Sequence, residues 1–158
     1  MTLLARALRW FAFIVLCNGV GFASAMVANE PSFYEHLHRP SWAPSASVFG
    51  PVWTLLYTLM GTATWIVWEK TLPGSPQRRG AMAAFATQLA LNAVWTPVFF
   101  GLHWIGVAII VIVAVLVAVV VMGIRYARVQ RWAGLAILPL AAWVGFASAL
   151  NIAIWRLN

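Results

Sequence analysis

A chain of 158 residues in which 63% of the residues are hydrophobic and only 8% are charged lies outside the composition range of soluble domains. The mean hydropathy of +0.88 and the formal net charge of +7 indicate a basic membrane protein. The basic residues stand in short gaps between apolar runs and form no aromatic-interleaved patch, which argues against nucleic-acid binding. The single cysteine, Cys17, excludes an internal disulfide and any cysteine-based metal cluster.

Five apolar segments predict an all-α membrane protein, a five-transmembrane-helix bundle that forms one domain over residues 1–158. Each segment is long enough, at ~1.5 Å per residue, to cross a ~30 Å hydrocarbon core. None alternates with the period of two that barrel strands show, so helices are expected. The predicted helices cover residues of about 7–28, 47–68, 79–101, 104–124 and 132–157.

The first segment has two interpretations. Its basic start and the small residues Ala23–Ala25 resemble a secretory signal with a cleavage site, in which case the mature chain would begin at Met26. A retained helix is favoured, because a 22-residue segment with Asn18 and Gly21 inside it suits close packing against other helices.

The first connection, residues 29–46, differs from a plain turn. It contains aromatic residues and two histidines, and its Ser32–Glu35 stretch resembles a capping box for a short helix after Pro31. We therefore expect a long structured loop that forms a lid over one end of the bundle.

Polar and aromatic residues recur at helical spacing in three of the segments, which predicts faces that point into the bundle. The residues on these faces are Trp53, Tyr57, Gly61, Thr64 and Trp68 in the second segment, Gln88, Asn92, Trp95, Thr96 and Phe99 in the third, and Pro139, Trp143, Ala147 and Asn151 in the fifth. The fourth segment has no polar side chain between Ile105 and Ile124, so it is expected to border lipid or to provide packing.

Asn92 and Pro97 are the most costly residues of the third segment. A buried amide needs a partner, a water or a ligand, and Pro97 leaves the carbonyl of Ala93 without its usual donor and predicts a kink. Hydrogen bonding between helices is the expected role of Asn18 and Gln88. Both roles, hydrogen bonding between helices and ligand binding, stay open for Asn92 and for the deep tryptophans.

Small residues in the third segment predict a homodimer through this helix. Gly80 and Ala84, and likewise Ala86 and Ala90, are four residues apart, which permits close helix approach. Packing within one chain explains the same pattern equally well.

Charge counting orients the chain. Eight basic residues fall on the side of the N-terminus, whereas only Arg39 and Arg156 fall on the other side. The positive-inside bias then predicts a bacterial inner-membrane protein with a cytoplasmic N-terminus, an outward-facing lid and a periplasmic C-terminus.

Conventional catalytic groups are missing from the segments. No Asp, Glu, Lys or Arg lies in a segment interior, which excludes a proton relay or an intramembrane acid–base pair. The histidines His36, His38 and His103 have no partner cluster, so no metal site is predicted.

Three stretches, WAPSASVFGPVWTLLYTLMG (42–61), QLALNAVWTPVFFG (88–101) and PLAAWVGFASALNIAIWRLN (139–158), closely resemble the TspO family of tryptophan-rich sensory proteins, which includes the mitochondrial translocator protein. The resemblance implies a five-helix bundle, often a homodimer. It also implies a pocket beneath the first connection that binds porphyrins such as protoporphyrin IX and haem, and synthetic isoquinoline ligands. In the family pattern Trp53 and Trp143 line that pocket, and Trp42 and Asn92 match lining positions.

The resemblance suggests three functions: a porphyrin-binding receptor or regulator, an enzyme that degrades porphyrin in light through Trp53 and Trp143, and a transporter of tetrapyrrole or lipid. The receptor is favoured, with no obligatory cofactor. Cholesterol-binding members carry a tyrosine near the end of the fifth helix where this chain has Ile152 or Ala153, which counts against sterol binding by that route.

The chemistry of the residues agrees with a flat aromatic ligand. Indole rings at Trp53, Trp95 and Trp143 can stack on the two faces of a porphyrin, and Arg39, helped by His36 and His38, can pair with its carboxylates at the rim. The predicted ligand-binding residues are Trp42, Trp53, Tyr57, Gln88, Asn92, Trp95, Phe99, Trp143 and Ala147.

Overall fold

The structure is a computed structural model that describes residues 2–28 and 32–158, and these residues form helices and no strands. The helices are α1 (Leu3–Ala28), α2 (Phe33–His36), α3 (Ala46–Lys70), α4 (Pro76–Thr96), α5 (Ile105–Val129), α6 (Arg131–Leu135) and α7 (Leu138–Leu157), with a π-helical turn over Pro97–Gly101 after α4. The predicted all-helical architecture is therefore confirmed.

Four helical stretches of the described chain are long and apolar enough to cross a membrane. They are Leu3–Ala28, Pro76–Gly101, Ile105–Val129 and Arg131–Leu157. Helix α3 has a similar length of 25 residues and contains tryptophans, a tyrosine and threonines among its apolar residues.

The last predicted segment is divided in the structure. The chain turns at Ala136 and Ile137 between α6 and α7, just before Pro139 in the first turn of α7. Proline has no N–H to donate and its fixed φ suits a helix start, so a new helix begins there.

Helix α5 has one face towards the bundle and one face away from it, as its lack of polar side chains predicts. The buried residues are Ala108, Ile112, Val115, Val119, Met122 and Tyr126, whereas Val107, Ile110, Val113, Val117, Val120 and Ile124 are exposed. An apolar surface of this extent is typical of a helix that borders lipid.

Helices α1 and α3 pack closely along their length. A Cβ atom added at Gly61 would lie 2.9 Å from the carbonyl oxygen of Phe13, so only glycine permits this approach. The amide of Asn18 donates to Thr58 Oγ1 at 3.3 Å, which confirms its predicted hydrogen bond between helices. Glu69 holds the start of α1 by ion pairs of 3.1 Å and 3.0 Å with Arg6 and Arg9.

Helix α5 lies between α4 and α7 and runs antiparallel to both. The Trp95 indole of α4 donates to Asn151 Oδ1 of α7 at 3.2 Å, and the Asn151 amide donates to the Ile105 carbonyl at 3.0 Å. These contacts define the lid end of the bundle, where α1 and α4 end and α5 begins. The basic end is the opposite end, where α3 and α5 finish.

The described part of the first connection, 32–45, is docked onto the lid end of the bundle. The predicted short helix is present as α2, but the Ser32 side chain makes no capping hydrogen bond, so the capping box does not form. Asn158 exchanges two hydrogen bonds of 3.0 Å with the backbone of His38, and the Trp42 ring contacts Phe146 at 5.7 Å. Since these two residues of α7 are ~18 Å apart at 1.5 Å per residue, the lid runs down alongside α7.

Pro97 ends the regular part of α4 and starts the π-helical turn. The carbonyl of Ala93, which cannot receive an N–H from Pro97, accepts a hydrogen bond of 2.7 Å from Ser24 Oγ on α1. The predicted loss of a donor is thus compensated by a side chain from another helix.

Replacing this donor is expected to destabilise the bundle only while Pro97 is present. Ser24→Ala should lower the free energy of unfolding by about 1–2 kcal/mol, because the buried Ala93 carbonyl loses its partner. Ser148→Ala is a matched control, since Ser148 is equally buried and bonds Val144 within its own helix, and it should cost well under half as much. Unfolding in detergent would measure both.

A double-mutant cycle separates the proline from other effects. In a Pro97→Ala background residue 97 regains an N–H, so Ser24→Ala should have almost no effect on stability. An equal cost of Ser24→Ala in both backgrounds would contradict the proposed role of this hydrogen bond.

Candidate functional site

A cavity of about 560 Å³ lies between α1, α3 and the end of α4, beside the lid. Its lining is mostly apolar and aromatic, with a few polar groups, which is the usual form of a small-molecule pocket. The lining residues are Asn18, Gly21, Phe22, Ala25, Met26, Ala28, Tyr34, Ala46, Phe49, Gly50, Trp53, Thr54, Tyr57, Trp95, Thr96 and Phe100.

Stacked aromatic pairs lie at two walls of the cavity, and in the second pair only Trp95 lines it. On α3 the rings of Trp53 and Tyr57 stack with centroids 5.3 Å apart and planes inclined by 29°. At the end of α4 the rings of Trp95 and Phe99 stack at 5.4 Å and 27°. Both pairs have i, i+4 spacing, which places the two rings on one helix face.

The third wall comes from α1, and Gly21 makes room there for an α3 ring. A Cβ added at Gly21 would lie 2.2 Å from Cε2 of Tyr57, so the tyrosine ring lies directly against the α1 backbone. Asn18, one turn earlier, uses its amide nitrogen for Ile14 and Thr58. Its Oδ1 has no hydrogen bond to the described residues.

A second aromatic group joins the cavity to α7. Phe49, which lines the cavity, contacts the Trp143 ring at 6.0 Å, and Trp143 contacts Phe146 at 5.4 Å. Phe146 in turn contacts Trp42 of the lid, which is 50% exposed. Trp143 and Trp42 therefore reach the cavity through Phe49 and do not line it.

Four side chains have buried polar atoms with no hydrogen-bond partner among the described residues, and one of them is the indole nitrogen of Trp65 on α3. Gln88 is fully buried with both its amide atoms unpaired, Asn92 is 1% exposed with Nδ2 unpaired, and the Trp143 indole nitrogen is also unpaired. The hydrogen bond between helices expected for Gln88 is therefore not formed with the described residues.

The unpaired groups of Gln88 and Trp143 lie at similar depth. Gln88 precedes Trp95 by seven residues and Trp143 precedes Asn151 by eight, which places each ~11 Å from the hydrogen bond that joins those two partners. Since α4 and α7 are parallel, the polar atoms face the bundle interior at one level. Phe99 and Ala147 are buried on the same helices but do not line the cavity.

At the rim, Arg39 lies closest to the cavity. Its guanidinium carbon is 4.7 Å from the centroid of the Tyr34 ring, and Tyr34 lines the cavity. Burial raises the pKa of the Tyr34 hydroxyl and Arg39 opposes that rise, so the neutral hydroxyl persists and donates to the Pro44 carbonyl at 3.0 Å.

The two lid histidines do not reach the cavity. His36 bonds the Ser32 carbonyl through Nδ1 at 2.8 Å, and the backbone of His38 pairs with Asn158. His103 stacks on Phe33 with ring centroids 3.9 Å apart. Among the described residues no three metal-ligating side chains come together.

Of the predicted site residues, the structure brings Trp53, Tyr57 and Trp95 together around one cavity. The contribution of α1 to the cavity was not predicted from the sequence. The close spacing of Asn18 and Gly21 carried the signal, because a polar residue next to a glycine on an apolar helix marks both close packing and a local gap. Phe49 and Phe100 were missed because aromatic residues near helix ends also serve as packing groups.

The unpaired amide of Gln88 should reduce the stability of the protein as it stands. Gln88→Met keeps the shape and removes the unpaired atoms, so it should raise the free energy of unfolding by about 1 kcal/mol. Asn151→Leu removes two formed hydrogen bonds and should lower it by about 2 kcal/mol. Thermal unfolding of both variants would check the opposite signs, and destabilisation by Gln88→Met would show that the amide is satisfied.

Comparison with known proteins assigns the chain to a family. The TspO/MBR family profile matches residues 13–156. The chain is 37% identical over 151 residues to the tryptophan-rich protein TspO of Chlorobaculum tepidum, with 92% of each chain covered. It is 37% identical over 153 residues to that of Archaeoglobus fulgidus, covering 96% of this chain and 97% of the relative. The translocator protein of Homo sapiens is 35% identical over 126 residues, with 80% and 75% covered. The protein is therefore an integral membrane protein that belongs to the TspO/MBR family.

Proposed function

We propose that this protein is a membrane receptor or regulator that binds a porphyrin or related tetrapyrrole in the cavity beneath the lid. The observation that carries the proposal is the cavity of about 560 Å³, which is lined by the stacked rings of Trp53 and Tyr57 and by Trp95, which stacks on Phe99. Membership of the TspO/MBR family supports the same proposal.

The shape and chemistry of the cavity suit a flat, largely apolar ligand. Trp53 on α3 and Trp95 on α4 present ring faces and edges to the space between them, and aromatic rings stack on an extended π system. A cavity of this volume lies within the 300–1,000 Å³ that enclose most organic ligands. The wall that α1 forms lies close to the Tyr57 ring because Gly21 has no side chain.

Polar groups at opposite ends of the cavity match the polar groups of a porphyrin. The unpaired Asn18 Oδ1 is an acceptor for a pyrrole N–H, and Arg39 beside Tyr34 is placed to pair with a carboxylate at the rim. A free-base porphyrin needs no axial ligand, so the distance of the histidines from the cavity does not oppose the proposal.

The buried polar atoms of Gln88, Asn92 and Trp143 extend the proposed site towards α7. Each is a donor or acceptor that the described residues leave unpaired, and Trp143 contacts the cavity residue Phe49. Ligand groups that reach this level would satisfy atoms that otherwise cost about 1–3 kcal/mol each.

The proposal includes α3 as a fifth membrane span. Its 25 residues extend ~37 Å, which exceeds the ~30 Å hydrocarbon core, and it packs along α1. Most of the basic residues then lie at the basic end, so we place that end in the cytoplasm and the lid in the periplasm of an inner membrane.

Titration with protoporphyrin IX tests the function. The detergent-solubilised protein should bind it saturably, with a shifted porphyrin absorption band and quenched tryptophan emission. Trp53→Phe should weaken binding by roughly fivefold to tenfold, because a smaller ring stacks on the ligand. Trp132→Phe, at a residue that is 70% exposed near the basic end, is the control and should bind normally.

The affinity of a Trp143→Phe variant is a second test of the same site. Since Trp143 reaches the cavity only through Phe49, it should weaken binding less than Trp53→Phe. Binding that is absent, or that is unchanged in the Trp53→Phe variant, would sink the proposed function.

We also propose a homodimer through the exposed face of α4. Ala83, Ala86 and Ala90 are exposed on one side of this helix, and their small side chains permit a second helix to approach. The double variant Ala86→Leu, Ala90→Leu should shift the protein from dimer to monomer in crosslinking and light scattering. Leucines at Val113 and Val120, which are exposed on α5, form the control, and an unchanged dimer in the α4 variant would rule out this interface.

A further inference from the structure

A second cavity, a groove of about 540 Å³, lies on the outer surface between α4 and α5, away from the porphyrin cavity. We call it the α4/α5 groove. It is lined by Gly80, Ala83, Ala84, Thr87 and Leu91 of α4 and by Ala114, Val117, Ala118, Val121 and Arg125 of α5. Nearly all of these side chains are small or apolar, and a single charged group is present.

The groove has the length of one membrane leaflet. Because α4 and α5 are antiparallel, Gly80 lies opposite Arg125 at one end and Leu91 lies near the level of Ala114 at the other. Eleven residues at 1.5 Å each make the groove ~16 Å long, about half of a ~30 Å hydrocarbon core. Its apolar part therefore matches an extended acyl chain that points to the membrane centre.

Arg125 closes the groove at the basic end. Its Nη1 lies against the Gly80 backbone, where an added Cβ would force this flexible side chain to move. The ion pairs among the described residues both belong to Glu69, with Arg6 and Arg9, and Arg125 has no carboxylate partner there. The guanidinium is exposed and available to an anion.

A second copy of the chain is a poorer occupant than a lipid. The proposed dimer face shares only Ala83 with the groove, whereas Ala86 and Ala90 do not line the groove and point roughly 100° around α4 from its axis. A helix laid into the groove would also bring no described carboxylate to Arg125, since Glu35 lies in α2 at the lid end and Glu69 is already paired. Anionic phospholipid provides both the apolar chain and the negative charge.

We propose that the α4/α5 groove is a binding site for an anionic phospholipid. One acyl chain lies along Ala84, Ala118 and Val121, and the phosphate accepts hydrogen bonds from the Arg125 guanidinium, whose fork of donors matches phosphate oxygens. Arg79, next to Gly80 in the chain, adds positive charge at the same end of the groove. The site is separate from the porphyrin cavity and does not depend on its occupant.

Native mass spectrometry of the full chain in a mild detergent tests the site. Phosphatidylglycerol should bind at one preferred site several times more tightly than phosphatidylcholine of the same acyl chains. Arg125→Gln should weaken phosphatidylglycerol binding by about fivefold or more, to the level of phosphatidylcholine. Arg128→Gln, an exposed arginine one turn further on that does not line the groove, is the matched control and should bind as the original protein does.

Two further measurements distinguish the contributions of the acyl chain and of the charge from that of a dimer interface. Ala118→Leu fills the groove and should abolish the preferred site for both lipids, whereas glycerol phosphate, which has no acyl chain, should not compete at all. Equal losses in Arg125→Gln and Arg128→Gln, or competition by glycerol phosphate, would overturn the proposal. So would conversion of dimer to monomer by Ala118→Leu with lipid binding unchanged, because the groove would then be an interface between copies.

Discussion

In a bilayer every backbone carbonyl needs a donor from within the protein, and Pro97 removes one from α4. The arrangement of the helices at the lid end depends on which group donates a hydrogen bond to that carbonyl. Ser24 supplies the donor, so α1 is held against α4 one turn before the π-helical turn begins. The π-helical turn widens the helix, and the rings of Trp95, Phe99 and Phe100 come together there with centroids 4.8–5.9 Å apart. The missing N–H of Pro97 thus links α1 and α4 to the π-helical turn and to the aromatic wall of the cavity.

Close contact between α1 and α3 has the complementary effect of keeping the cavity narrow. At Gly61 the α1 backbone lies against α3, and at Gly21 the Tyr57 ring lies against α1. Gly61 therefore sets the separation of the two helices away from the cavity, and Gly21 sets it at the cavity wall, where Phe22, Met26 and Phe49 are further lining residues. A cavity with these dimensions results from backbone approach at two points, and the lid then covers one side through Tyr34.

Periodicity was sufficient to predict the helical segments and the buried face of α4, because in a membrane helix the apolar and polar residues sort by a period of 3.6. Gln88, Asn92, Trp95 and Phe99 are all buried, as that period requires. The role of Ser24 was not predictable, since its partner Ala93 is 69 residues away and the choice depends on how α1 and α4 cross. The placement of Trp143 behind Phe49 likewise depends on side-chain packing between helices, which spacing along one helix cannot reveal. The short helix α2 was predicted, but its capping box was not formed because the cap uses a local side-chain geometry that Ser32 does not adopt.

The polar side chains of the bundle divide into two groups, those with hydrogen-bond partners among the described residues and those without. Thr58, Thr62, Thr64 and Ser148 return their hydroxyls to carbonyls four residues earlier, and Trp95 and Asn151 satisfy each other, so these groups cost the fold little. The buried polar atoms of Gln88, Asn92, Trp143 and Trp65 have no such partners among the described residues. An apolar side chain of similar size at any of these positions would avoid a cost of about 1–3 kcal/mol. In the proposed function, a ligand that supplies the missing partners would recover that free energy on binding, so the cost of the unpaired atoms would become part of its affinity.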